Sequence, residues 1–161
     1  MEDQQERLKI RKLSWLGGII DGEGTITIRI HNRKHNRTLL TSVFSVANTN
    51  KIIIDKIEEI LKEFKIPFWM SYTDKTKRWK PKWEIHVMGL RRVKKFLPII
   101  NEFLVGKKKE GELALQWCNR RLSKLGKNEF YDDDELRIYN EIKSLHGHQD
   151  QVHKIFRILN D

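Results

Sequence analysis

Two acidic residues, Asp21 and Glu23, stand between glycines at the end of an apolar segment, Leu16–Gly24. Carboxylate oxygens are the ligands that Mg²⁺ prefers, and the ion usually takes only one or two of them from a protein. Divalent cations held in this way can neutralise charge, activate water and stabilise a leaving oxygen during phosphodiester hydrolysis. Two acids at a helix end could serve such chemistry, whereas Glu23 taken by itself is more typical of a solvated turn residue.

The segment before the two acids predicts a helix that packs closely against another helix. A glycine inside a helix costs roughly 1 kcal/mol relative to alanine, so two adjacent glycines require a compensating contact. Positions 14, 17, 18 and 21 share one helical face. We therefore predict an interface helix over about Glu6–Asp21, whose bare face is formed by Ser14, Gly17, Gly18 and Asp21.

Hydrophobic periodicity predicts helices alternating with hairpins along the rest of the chain. The predicted elements are strands at Thr25–His31 and Thr38–Ala47, a helix at Lys51–Phe64, hairpin arms at Ile66–Asp74 and Trp79–Val87, and a helix at Leu90–Leu104. Pro98 should kink or divide that last helix near Leu97. Three further helices are predicted at Glu112–Leu125, from Asp132–Glu135 to Gly147, and over Val152–Leu159.

The residues Leu16–Gly24 resemble the signature of the LAGLIDADG homing endonucleases. Leu16, Gly18, Ile20, Asp21 and Gly24 match as written, and Ile19, Gly17, Gly22 and Glu23 are mild replacements. The predicted order over roughly Leu8–Lys109 is similar to the family's αββαββα fold. The resemblance implies an α+β protein with a saddle-shaped, four-stranded antiparallel sheet. The length of the chain suits one domain over 1–161. The resemblance covers its core at about 8–109, and the extension over about 110–161 is predicted only to be helical.

The resemblance implies a site-specific, intron-encoded homing endonuclease. Such an enzyme uses Mg²⁺ or Mn²⁺ to cut both strands of a long, pseudo-palindromic DNA target, and it leaves 5′-phosphate and 3′-hydroxyl ends. The chain carries one copy of the signature, so a two-helix interface built on it requires a homodimer. The alternatives are a catalytically inactive RNA maturase or DNA-binding regulator of the same fold, and a structural or RNA-interaction protein that uses its charge nonspecifically.

The resemblance also implies roles for individual residues. Glu23 and the carbonyl group of Gly22 would bind the metal ion, and Asp21 would first stabilise the helix end. Asn48 matches a polar side chain that organises water, although capping the next helix is an equally open alternative for it. Lys107 matches a lysine near the cleavage site, where it could stabilise transition-state charge.

One face of the predicted sheet carries side chains suited to reading DNA. Antiparallel sheets can expose one face to water, and this face mixes hydrogen-bond donors and acceptors that fit base edges. It holds Thr27, Arg29, His31, Arg33, Thr41, Ser45, Lys80, Lys82, Glu84 and His86, and the bends add Lys34, Arg37, Lys75, Lys77 and Arg78 for phosphate contacts. An ordinary solvated face is the alternative. Leu39 and Val43 interrupt the polar set and either contact thymine methyl groups or pack.

Composition agrees with a nucleic-acid partner. The 161 residues carry a formal net charge of +10, for which phosphate is the natural partner. The sequence has no run of about 18 apolar residues and no signal-peptide pattern, so we expect no membrane association. The single cysteine, Cys118, excludes an intramolecular disulfide and a cysteine-rich zinc site. We expect an intracellular protein, from the cytoplasm of a prokaryote or from an organelle.

Overall fold

The structure is a computed structural model that describes residues 2–33, 37–74, 80–126 and 130–147. Its elements are α1 (Glu2–Glu23), β1 (Gly24–Arg33), β2 (Arg37–Asn48), α2 (Lys51–Glu63), β3 (Trp69–Thr73), β4 (Lys82–Met88), α3 (Leu90–Ile100), a 3-10 turn (Asn101–Phe103), α4 (Lys108–Ser123) and α5 (Asp133–Leu145). The predicted α+β class and αββαββα order are confirmed. The helix predicted over Val152–Leu159 lies outside the described residues. Across the described ranges, no helix is long and apolar enough to cross a membrane.

The four strands form one antiparallel sheet in the order β1-β2-β4-β3. The two hairpins join through β2 and β4, where Phe44 pairs with Val87 and Ser45 pairs with His86. This junction leaves β1 and β3 as the edge strands. Pro81 lies just before β4, where its missing N–H breaks no hydrogen bond of the sheet.

Helix α1 passes into β1 without a connecting residue. The helix ends at Glu23 and the strand begins at Gly24, so the helix is longer at both ends than predicted. A Cβ atom at position 24 would lie 2.8 Å from the Cα atom of Ile20, and glycine is therefore required at this sharp exit. Leu16 and Ile20 are fully buried and fix the helix against the core. Glu23 consequently stands in the last helical turn, beside the sheet.

The core lies between the helices and one face of the sheet. Because alternate strand residues point to opposite faces, one set is buried: Ile26, Ile28, Phe44, Val46, Ile85 and Val87. Helix α2 adds Ile57 and Ile60 to this core, and α3 adds Val93 and Phe96. The opposite sheet face, called the outer face below, is the one predicted to read DNA.

Helix α3 does not divide at Pro98. It continues to Ile100 with the proline inside it, and the 3-10 turn follows, so the predicted division near Leu97 is wrong. Leu97, Ile100 and Leu104 are buried. Burying three such side chains contributes several kcal/mol, which exceeds the roughly 3 kcal/mol cost of an interior proline.

Helices α4 and α5 extend the core over β1 and β2. Trp117 and Cys118 are fully buried, and the Sγ atom of Cys118 lies 3.2 Å from the Oγ atom of Ser42. Burial raises the pKa of the Cys118 thiol to about 11, and this cysteine is part of the core. The Tyr131 hydroxyl accepts a 2.8 Å hydrogen bond from the Leu40 N–H, on a stretch of β2 that β4 does not reach.

The start of α5 is fixed by a capping box. The Asp132 side chain accepts a hydrogen bond from the Glu135 N–H, and the Glu135 side chain accepts one from the Asp132 N–H, each of 2.9 Å. Glu135 is fully buried and forms ion pairs with Arg121 at 3.3 Å and Lys124 at 3.2 Å. The predicted acidic helix start is confirmed, and Gly147, with a φ angle of 73°, follows the helix end as predicted.

Candidate active site and nucleic-acid interface

Asp21 fastens the end of α1 to the segment after the 3-10 turn. Its Oδ2 atom accepts a 2.7 Å hydrogen bond from the Val105 N–H, and its Oδ1 atom accepts a 2.9 Å bond from the Lys107 N–H. Burial by itself raises the pKa of Asp21, but hydrogen bonds from the 105–107 backbone and the Lys107 charge outweigh burial and lower it. The expectation that Asp21 lies on a bare face is therefore wrong, because its carboxylate is occupied by its own chain.

We expect Asp21→Asn to lower the free energy of unfolding by about 1–2 kcal/mol at neutral pH, because an amide replaces a carboxylate that accepts two N–H groups. Folding lowers the pKa of Asp21, so its contribution is complete above the unfolded-state pKa of about 3.9 and is lost as the pH falls through the folded value. The difference between wild type and variant should thus shrink on acidification. Urea unfolding at about pH 7, 5 and 3.5 measures it. A difference that stays constant at the lowest pH would contradict the assignment.

Lys107 occupies the same helix end. Its Nζ atom donates to the carbonyl oxygen of Asp21, and the side chain is half-buried. That carbonyl is one of the last four of α1, which lack partners within the helix and form the negative end of its dipole. The ammonium group predicted for the cleavage site is therefore held at the C-terminal end of α1, at the backbone of Asp21.

Glu23 and Asn48 contact each other directly. The Asn48 Nδ2 atom donates to the Glu23 Oε2 atom, and the Asn48 Oδ1 atom accepts a 2.7 Å bond from the Asn50 N–H. Asn50, rather than Asn48, caps α2 by accepting a 3.0 Å bond from the Ile52 N–H. Asn48 consequently positions the Glu23 carboxylate and is not the helix cap.

The oxygen atoms at this helix end suit a hard divalent cation. Glu23 is exposed, and its Oε1 atom has no hydrogen-bond partner among the described residues. Gly22 is also exposed, and its carbonyl group is another of the last four of α1. Mg²⁺ takes one or two carboxylates and keeps several waters, and Mn²⁺ accepts the same ligand types. Within the described ranges no three His, Cys, Asp or Glu residues could hold a metal ion, so further oxygens would come from water, phosphate or a second chain.

The two adjacent glycines of α1 face different neighbours. A Cβ atom at Gly17 would lie 2.9 Å from the carbonyl carbon of Phe103 and would overlap its oxygen. A Cβ atom at Gly18 would meet nothing within 4 Å. The prediction that Gly17 lies on the bare face is therefore wrong, since this glycine lets the 3-10 turn approach its own helix. Gly18 and the exposed Ser14 remain on the open side.

An uncovered stripe runs along α1 beside Gly18. Leu8 and Trp15 are 48% and 37% exposed, and Cβ atoms at Gly18 and Gly22 would find open space. The α1 stripe, defined as Leu8, Arg11, Trp15, Gly18 and Gly22, follows the spacing of a single helical face. Exposed apolar side chains aligned with bare glycines provide a surface on which a second helix could lie closely.

Contacts across all four strands organise the outer face. The Arg29 Nη2 atom donates a 3.3 Å hydrogen bond to the Ser45 Oγ atom. The His86 Nε2 atom lies 3.5 Å from the Glu84 Oε1 atom. The ring of Trp69 stacks on that of His86 with 3.9 Å between their centroids. Ser45 and His86 lie opposite each other in the register of β2 and β4, so the predicted DNA-reading side chains, together with Trp69, form one continuous surface.

The centre of the outer face is less open than the sequence suggested. Thr27, Ser45 and His86 are each 4% exposed, and Val43 is fully buried. Val43 thus packs rather than offering a methyl contact to a base. The rim is more accessible. It contains three exposed side chains, His31, Lys80 and Lys82, and three half-buried ones, Arg29, Thr41 and Glu84.

His86 is neutral at physiological pH. Burial lowers its pKa most, Glu84 opposes this effect, and the charges of Arg29 and Lys82 lower the pKa further. A neutral imidazole has one donor and one acceptor nitrogen, whereas the imidazolium ion has two donors. The nearly covered centre of the outer face therefore holds a neutral imidazole instead of another positive charge.

The sequence prediction missed two residues of this surface. Trp69 is 43% exposed on β3 and lies opposite His86, a register that the predicted arm Ile66–Asp74 did not fix. Lys143 of α5 donates a 3.3 Å hydrogen bond to the Thr27 Oγ1 atom. No local pattern distinguishes this lysine from any other on a helix surface.

Some predicted phosphate contacts have no described position. Lys34, Lys75, Lys77 and Arg78 lie outside the described residues. Arg33 and Arg37 pair with each other in the backbone register at the loop end of the first hairpin. These six assignments remain predictions.

The comparisons with known proteins agree with the fold. A family model described as a LAGLIDADG-like domain matches residues 11–101, which is more than half of the chain. The match spans most of α1 and continues through the sheet to the end of α3. Among curated proteins, none matches this sequence.

Three solved structures illustrate the structural similarity. The homing endonuclease I-CvuI, in complex with a DNA target, has a TM-score of 0.59 and 18% identity over 89% of this chain and 83% of that one. The group I intron-encoded homing endonuclease I-CeuI, complexed with DNA, has a TM-score of 0.65 and 13% identity over 88% and 76%. The LAGLIDADG homing endonuclease I-LtrWI, bound to target DNA, has a TM-score of 0.58 and 23% identity over 81% and 42%.

Proposed function

Because the chain belongs to the LAGLIDADG-like domain family, we propose that it is a homing endonuclease that binds double-stranded DNA and cleaves both strands with Mg²⁺ or Mn²⁺. The observation that carries this proposal is the meeting of Glu23, Asn48 and Lys107 at the C-terminal end of α1. These residues come from three distant parts of the sequence, and folding brings them to the point where α1 enters the sheet. The net charge of +10 supports a phosphate-rich partner.

The proposed active enzyme is a homodimer joined through the α1 stripe. Each protomer offers one carboxylate at Glu23, whose Oε1 atom has no hydrogen-bond partner among the described residues, and two parallel copies of α1 would bring two such groups together. The match to I-LtrWI covers less than half of that longer chain. This coverage is what we expect if a chain with one signature corresponds to one half of a larger protein. The exposed Leu8 and Trp15 supply the apolar area that a second helix would bury.

Each residue of the proposed site has a distinct task. Glu23 and the Gly22 carbonyl would hold the cation, which supplies charge neutralisation and an activated water. Asn48 fixes the orientation of the Glu23 carboxylate and lies where it could also orient water. Lys107 would place its ammonium group against the developing charge on a phosphate oxygen. Magnesium and calcium were present in I-CvuI–DNA structures, which supports an oxygen-ligated divalent cation here.

The outer face would read the target sequence. Arg29 suits the two acceptors of guanine, and Glu84 suits the amino group of cytosine. Trp69 offers an apolar surface to a thymine methyl group. A strand of about eight residues spans about 26 Å, or about eight base pairs, so two protomers would cover a long, nearly palindromic site.

A cleavage selection from a randomised duplex library tests the proposal. With Mg²⁺, the purified protein should cut one or a few related sites that approximate a palindrome, leaving 5′-phosphate and 3′-hydroxyl ends, and chelation should stop cutting. Sedimentation of the protein–DNA complex should give a mass for two chains. Tight, sequence-specific binding without cutting would instead support the DNA-binding regulator.

A further inference from the structure

Helix α5 carries a lysine across the edge of the sheet. Ile138 and Ile142 of α5 are buried on the core side, whereas Thr27 points to the outer face, because its neighbours Ile26 and Ile28 point to the core. The Lys143 Nζ atom nevertheless donates a 3.3 Å hydrogen bond to the Thr27 Oγ1 atom. The aliphatic part of Lys143 therefore passes around β1, an edge strand, and delivers its ammonium group to the outer face.

The ammonium group arrives beside another positive charge. Burial lowers the pKa of Lys143, and the nearby Arg29 charge lowers it further. Among the described residues neither Lys143 nor Arg29 has a carboxylate in ion-pair contact, and Arg29 donates instead to the neutral Ser45. Lys143 has three N–H donors, and the hydroxyl of Thr27 takes one of them.

We propose that Lys143 binds a backbone phosphate of DNA at the β1 edge of the outer face, so that α5 forms part of the DNA-binding surface. This inference rests on the proposed DNA-binding function and adds a residue, and a helix, that neither the signature nor the strand pattern indicated. A phosphate would supply the anionic partner that two adjacent cations lack in the free chain. Lys143 provides a point charge at the sheet edge. A point charge suits a backbone phosphate, which positions the duplex, better than it suits a base edge.

A purely structural lysine would have a different environment. Buried cations are normally paired with a carboxylate. Even the partly exposed Lys124, at the end of α4, is paired with the fully buried Glu135. Lys143 is 9% exposed, and among the described residues its one hydrogen-bond acceptor is a hydroxyl group. Its ammonium group also lies 5.4 Å from the centroid of the Tyr139 ring, a contact that offsets part of the cost of burial but supplies no anion, so a bound phosphate would still be favoured.

The test measures DNA binding by fluorescence anisotropy over a range of KCl concentrations. Lys143→Met keeps the aliphatic stem and removes the charge, and Lys143→Arg keeps the charge. With Ca²⁺ present and an arbitrary duplex of about 30 base pairs, Lys143→Met should weaken binding about five- to tenfold at about 100 mM KCl. The slope of log Kd against log salt should fall by about one for each protomer bound. Lys143→Arg should keep most of the affinity and slope.

The matched control is Arg137→Met on the same helix. Arg137 is 75% exposed in its side chain and is ion-paired with Asp134 at 3.2 Å, so its removal should leave Kd and slope unchanged. A Lys143→Met protein that binds with the wild-type Kd and slope would overturn the proposal. Lys143→Gln is measured in parallel. If circular dichroism shows that both Lys143→Met and Lys143→Gln have lost the folded state, the role of Lys143 is structural and the proposal is also overturned. If the wild-type chain shows no salt-dependent DNA binding, the proposed function itself fails.

Discussion

Cleavage is expected to fall at least about 1,000-fold when Glu23 is replaced by glutamine, because the amide cannot supply the anionic oxygen that a divalent cation requires. The substitution preserves length and leaves an oxygen to accept the hydrogen bond from Asn48. The fold and the outer face should therefore be unchanged. Single-turnover cleavage of the selected duplex in Mg²⁺ gives the rate, and binding in Ca²⁺ shows whether the DNA is still held.

Two companion variants sharpen this result. Glu112→Gln removes an exposed carboxylate of α4 that makes no hydrogen bond or ion pair with the end of α1 among the described residues, and it should cleave at the wild-type rate. Glu23→Asp keeps the charge on a shorter side chain and should lie between wild type and Glu23→Gln. If Glu23→Gln cleaves as fast as wild type, the metal ligand has been assigned to the wrong residue. If it binds weakly as well, Glu23 contributes to DNA binding rather than to the chemical step alone.

Substitutions at the two adjacent glycines of α1 should have opposite consequences. Gly17→Ala is expected to lower the free energy of unfolding by about 2–3 kcal/mol, since its Cβ atom would overlap backbone atoms of Phe103 that cannot move cheaply. The steric cost alone would be larger, but the higher helix propensity of alanine offsets about 1 kcal/mol of it. Urea unfolding measures this difference at one fixed protein concentration.

Gly18→Leu should instead give a folded protein that does not dimerise. A side chain at position 18 meets open space within its own chain, but it would fill the α1 stripe where a second helix must approach. We expect sedimentation velocity to show one chain at micromolar concentration, and cleavage to fall at least about 100-fold because the paired site is not assembled. Ser144→Ala, a small change on the exposed side of α5, serves as the control. A dimeric and fully active Gly18→Leu protein would contradict the proposed interface.

Local sequence patterns predicted the elements well because their determinants lie close together in the chain. Alternation in β1 and β2 separated the core side from the outer face, with Ile26, Ile28, Phe44 and Val46 all buried. The acidic start of α5 was identified from Asp132, whose capping partner Glu135 is three residues away. The prediction at Pro98 was wrong because burial of Leu97, Ile100 and Leu104 in the core is a tertiary effect. This burial outweighs the local cost of a proline inside a helix.

The candidate site was predicted less completely than the fold. Glu23, Asn48 and Lys107 were chosen by resemblance to a family, and the structure places all three at one helix end. The sequence could not show that Asn48 holds Glu23 while Asn50 caps α2, because both asparagines fit either role. It also could not show that Thr27 and His86 are nearly covered, since covering depends on side chains from other strands.

The sequence by itself determined the two acids at a helix end, the strand faces, the positive charge and the order of the elements, because each depends on neighbouring residues or on composition. Only the tertiary structure decided that Gly17 faces Phe103 while Gly18 stays open, and that Lys143 reaches Thr27 around the edge of β1. Those contacts join segments far apart in the chain. Their partners are set by how the helices pack on the sheet, and no local periodicity records that packing.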